Sequence, residues 1–171
     1  LDSTAGISDA GATSVTVTGL ADVAGTSITL GSGTFNAGTL TFNSVGAVVI
    51  SEDSSTDIVG VNTAASLDLD STAGISDAGA TSVTVTGLAD VSGTSITLGS
   101  GLFDAGTLTF NSAGAVVISE DSSTSLVGVN TAGSLNLDSA GALSDAGATS
   151  VDVTGLADVS GTSISLGGGI F

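Results

Sequence analysis

The residues with the clearest chemical capacity in this chain are carboxylates, and they recur at a fixed spacing. Ser51-Glu52-Asp53 follows the run Ala47–Ile50, and Ser119-Glu120-Asp121 follows the same run where it returns, an offset of 119 − 51 = 68. Adjacent carboxylates beside turn carbonyls supply the hard oxygen ligands that Ca2+ selects. Glu52, Asp53, Glu120 and Asp121 are therefore the candidate Ca2+ ligands. Asp77 joins them because the coil alignment below puts Asp77-type residues on the face of Glu120. The plainer use of Ser-Glu-Asp is a solvated turn. The Gly-Gly-x-Gly-x-Asp signature of calcium-binding β-rolls is absent, and Gly167-Gly168-Gly169 is not that motif. Ca2+ is the one cofactor the residues suggest, and no cofactor is required.

Other chemistries lack their residues. The chain has no His, Lys, Arg or Cys, so a serine nucleophile has no base beside it. Paired carboxylates can hydrolyse glycosides. Here, however, Asp9, Asp77 and Asp145 occupy one repeated position, and Asp22, Asp90 and Asp158 another. A catalytic site should occur once, with unlike residues converging, so the sequence is read as that of a non-enzyme. A net charge of −17 with no cation disfavours nucleic acid and anionic membranes, since nothing can neutralise phosphate. No apolar run approaches the roughly 18 residues a spanning helix needs. Thr-x-Thr strings such as 84–86 are explained by strand propensity. No Asn-x-Ser/Thr acceptor occurs.

What positions these groups is repetition. Residues 1–23 return unchanged at 69–91, and an edited copy begins at 137. The period is 68, giving repeats 1–68, 69–136 and a partial 137–171. Eight positions differ between the first two copies, leaving 68 − 8 = 60 identical. They are Ala24/Ser92, Thr34/Leu102, Asn36/Asp104, Val45/Ala113, Asp57/Ser125, Ile58/Leu126, Ala65/Gly133 and Asp68/Asn136.

Within each repeat a shorter theme recurs: small polar, apolar, polar, apolar, then a Gly/Ser/Asp turn. Period-2 alternation with β-branched residues signals short strands. Strings such as 81–87, rich in Thr, Ser and Gly, make poor helices. The positive mean hydropathy of +0.59 argues against disorder, which pairs low hydrophobicity with high charge. Three coils fit one repeat: 107–133, 66–87 and 88–106. The expected fold is all-β, a parallel β-helix (β-solenoid) with about three coils per 68-residue repeat. Its inward rows are Leu67, Leu69, Ile75, Val83, Val85, Val91, Ile96, Leu98, Phe103, Leu108, Phe110, Val116, Ile118, Leu126 and Val129. Identical strands are expected to stack in register. Two-sided coils and an array of 68-residue β-sandwiches are the alternatives. In a solenoid, stability comes from nearest-neighbour stacking rather than from any single coil.

The stretches 107–124, 66–79 and 88–99 resemble the β-strand repeats of giant bacterial cell-surface proteins, the filamentous-haemagglutinin-like and autotransporter-adhesin-like β-solenoids. The resemblance runs along the whole chain. It implies a right-handed β-helix and an extracellular, cell-surface location. It implies no catalytic residue.

Together these readings set the expectations. Residues 1–171 form one continuous solenoid segment of a longer chain, cut partway through a repeat. The function is a structural repeat segment of an extracellular bacterial surface fibre, stalk or filament, giving length, stiffness and protease resistance. The alternative is the stalk of a cell-surface adhesin whose ligand site lies outside this segment. The expected partner is self, through head-to-tail continuation or fibre assembly, with lateral bundling through divalent cations.

Overall fold

The computed structural model describes residues 1–171, and every element in it is a strand. All strand pairings are parallel, each between one winding of the chain and the next. The molecule is thus a β-solenoid. Its short strands alternate in burial as a pleated ribbon must when one face lines a bore and the other meets water. Ser66–Ser71 shows this: Leu67 and Leu69 point inward, while Asp68 and Asp70 are exposed.

The coils are short. Following one vertical column, Ile7 pairs with Ile28, Ile28 with Val48, Val48 with Leu67 and Leu67 with Ala89. The column continues through Leu108 and Leu126 to Asp145. These are seven steps and eight stacked turns. The shortest step runs from Leu108 to Leu126, 126 − 108 = 18, and the longest from Leu67 to Ala89, 89 − 67 = 22. The repeat thus holds somewhat more than three coils. Within 107–133 the winding already closes between Leu108 and Leu126, so the chain does not divide at 66–87, 88–106 and 107–133.

Nor do identical strands stack. Ile75, one period after Ile7, belongs to a second column: Thr56, Ile75, Ile96, Val116, Leu135, Ala157. Because the coil is not a whole fraction of the repeat, every strand rests on a strand of different sequence.

The bore is filled by 34 buried apolar residues forming one cluster. Phe35, Phe42, Phe103 and Phe110 are its largest side chains. Of the inward rows expected from sequence, all are buried except Val129, which is 61% exposed. The neighbouring Asn130 is buried in its stead. Two short strands, Thr124–Leu126 and Val129–Ala132, rest on the single strand Leu102–Asn111. Where they part, the amide of Phe110 finds no backbone acceptor above it. The Asn130 side chain supplies one, accepting from Phe110 N at 3.0 Å and donating to Val127 O at 2.9 Å. Asn62 does the same for Phe42, at 2.8 Å. A buried, unpaired amide costs about 1–3 kcal/mol, which explains why an asparagine faces the core while a valine faces water.

Candidate functional site

The carboxylates fall into three settings, each fixed by the winding. The first is the Asp9, Asp77 and Asp145 position. Asp77 Oδ2 accepts from Gly99 N at 3.0 Å and from Gly101 N at 3.3 Å, and Oδ1 accepts from Ser100 N at 3.0 Å. Asp9 accepts from Gly31, Ser32 and Gly33, and Asp145 from Gly167, Gly168 and Gly169. Each side chain staples its strand to the turn one coil later. The turn needs glycine twice. Gly99 sits at φ +94°, and a methyl on Gly101 would overlap the Thr81 carbonyl oxygen. Desolvation works to raise the Asp9 carboxyl, but three amides outweigh it and hold Asp9 below the ordinary value. The amides of Gly169, Gly167 and Gly168 hold Asp145 down as well.

The second setting is Ser-Glu-Asp. Residues 34–37 of the strand Thr34–Ser44 have no strand above them, although 40 and 43 do. Side chains take the missing strand's place. Glu52 Oε1 accepts from Ala37 N at 2.8 Å, and Asp53 Oδ2 accepts from Phe35 N at 3.0 Å. The second copy repeats this: Glu120 accepts from Ala105 N and Asp121 from Phe103 N, both at 2.8 Å. Burial pushes the Glu52 and Glu120 carboxyls up, against the pull of the Ala37 and Ala105 amides, and the charges of Asp53 and Asp104 add to the rise.

The third setting is not singled out by sequence. Asp68 lies directly beneath Asp90 in neighbouring coils, with Asp70 on the same strand as Asp68. Partial desolvation by the neighbouring coils, and then repulsion between the carboxylates, raise Asp68 and Asp90 above the ordinary range. The signal is present in the residues, but it depends on the long step that joins 68 to 90, and alternation alone does not reveal that step.

The five candidate Ca2+ ligands are therefore not one site. Glu52 and Asp53 form one wedge, Glu120 and Asp121 another, and Asp77 serves a glycine turn. No group of three or more carboxylates is gathered closely enough to hold a metal ion. What these side chains do in the fold is accept backbone hydrogen bonds that a strand would otherwise take. A charged acceptor makes such bonds shorter and stronger than a neutral one.

A cavity of about 410 Å3 opens at the N-terminal mouth of the bore, lined by Leu1, Ile7, Val15, Val17 and Phe35 among others. The opposite end exposes Leu156, Ile170 and Phe171. No helix is long and apolar enough to cross a membrane. Compared with known proteins, the chain matches no family model, no curated protein and no solved structure.

Proposed function

We propose that this chain is a stiffening rod: a structural segment of an extracellular bacterial surface fibre, stalk or filament, mechanical rather than catalytic. One observation carries the reading. From Ile7 to Asp145 each winding pairs with the next along one column around a continuous apolar bore, while Asp9, Glu52, Asp53, Asp77, Glu120, Asp121 and Asp145 accept backbone hydrogen bonds from neighbouring coils instead of converging on a substrate. The absence of Lys and Arg leaves trypsin-like proteases nothing to cut and gives the rod one sign of charge along its length. The cell-surface location rests on the resemblance of the repeats.

Self-association, by head-to-tail continuation or fibre assembly, is part of the reading, since the edge of a sheet templates further strands. Divalent cations act between rods in this picture, because Asp68 and Asp70 face outward. Melting in millimolar calcium should then exceed melting in excess chelator only at concentrations where rods associate.

The deciding experiment is immunogold electron microscopy of native cells with antibodies raised to residues 1–171. Gold aligned along threads outside the cell is the expected result. Label confined to the cell interior, or to compact particles, overturns it. Gold confined to the shaft of threads that end in a different, unlabelled tip favours the adhesin-stalk reading.

A further inference from the structure

We infer that the 68-residue unit is an angular as well as an axial spacer: consecutive units present the same surface on nearly opposite sides of the rod. The seven pairings that lead from Ile7 to Asp145 advance the sequence number by 145 − 7 = 138. Two units advance it by 2 × 68 = 136, just short of seven coils. One unit is therefore 7 × 68/138, about 3.45 coils. It carries whatever follows about 16–17 Å along the axis, at ~4.8 Å per coil, and turns it by about 0.45 of a revolution. Two units nearly restore the starting direction, about 33 Å further on.

The columns give the same result locally. Ala21 stands under Leu40, then Ile58, then Asp77. Ala89, one unit later, stands instead over Leu67 in the column that starts at Ile7. Exposed residues follow the same displacement. Leu20, Leu88 and Leu156 share one repeat position and are 52%, 36% and 74% exposed. The first and third face nearly the same way, and the second faces away from both.

A partner lying along one side of the rod, including a second copy of this chain, thus meets a given surface only at every second unit. Adding or losing a single unit reverses the direction in which everything beyond it points. Changing the number by two preserves it.

The chain has no cysteine, so paired spin labels can be placed at will. Dipolar distances are compared for L20C/L88C, one unit apart, and L20C/L156C, two units apart. The two-unit pair should report an axial separation of about 33 Å. The one-unit pair should lie well above its axial offset of about 17 Å, because the width of the rod separates its labels. A one-unit distance of only about 14–19 Å, the rise of three or four whole coils, overturns the inference. A chain lacking residues 69–136 and carrying L20C/L156C should reproduce the one-unit distance. If that chain does not fold, V61C/V129C in the full chain is a second one-unit pair, on side chains 62% and 61% exposed.

Discussion

The two full copies of the repeat share a backbone and differ in how they manage negative charge. In the first, Asp68 sits under Asp90 with Asp70 nearby, and partial desolvation with repulsion drives Asp68 and Asp90 up. One unit later the same step is Asn136 under Asp158, an amide against a carboxylate. At the wedge the exchange runs the other way. Asn36 accepts a hydrogen bond from Ser54 at 3.0 Å, whereas its counterpart Asp104 adds a charge beside Glu120. Glu120 is compensated by Thr124 Oγ1 at 3.0 Å and Ser122 Oγ at 3.2 Å. In the first copy Glu52 Oε2 and Thr56 Oγ1 are buried without partners. A rod with no cations cannot neutralise a carboxylate, so it moves charge between positions and answers each placement with hydroxyls and amides.

The largest effects should ignore this difference. Phe42→Ala and Phe110→Ala each open the bore and should cost about 3–5 kcal/mol by denaturant unfolding. If one copy tolerates the loss and the other does not, the bores are not equivalent. Next, Asn130→Leu leaves the Phe110 amide unpaired and should cost about 1–3 kcal/mol, despite adding an apolar side chain to the core. A stabilised Asn130→Leu variant would show that the asparagine is not needed as an acceptor.

Acidity tests the charge settings together. Glu52, Asp68, Asp90 and Glu120 have carboxyls raised in the folded state. The fold therefore holds protons that the unfolded chain has released, and its stability falls as pH rises through that window. Acidifying from neutral should recover it, and Tm near pH 5 should exceed Tm near pH 7.5. Asp9 and Asp145 are depressed from an ordinary 3.8. Their contribution is present above that value and is lost as pH falls below it, so Tm should turn down again in strong acid. Asp104→Asn removes one repulsion beside Glu120 and should flatten the rise. A Tm that falls steadily from pH 7.5 to pH 5 would contradict the account. The smallest expected change is Asp68→Asn, which gives the first copy the second copy's step. Removing a like-charge pair on a strand face should stabilise by about 0.5 kcal/mol, and the same edit at Asp70, which does not sit directly beneath Asp90, should do less.

Much of this can be read from the residues. Alternation such as Leu67-Asp68-Leu69-Asp70 fixes which side chains enter the bore, because only one face of a pleated strand can be buried. The winding is harder to read. Glu52 and Asp53 stand in for a strand, and a pattern of apolar and polar letters does not distinguish a carboxylate that accepts a backbone amide from one that faces water. The same ambiguity leaves Glu52, Asp53, Glu120 and Asp121 readable as cation ligands and conceals Asn130 behind the more apolar Val129. The amides these groups serve lie 15–20 residues away in sequence, on a neighbouring coil whose register no local motif announces.

Each strand finds its partner only one winding back along the chain. Such a molecule can be made progressively. A polypeptide emerging end first, from a ribosome or through a narrow pore, has its docking platform complete before the next winding arrives. The separation between partners stays at one winding however many windings are added, so no distant segment has to be awaited.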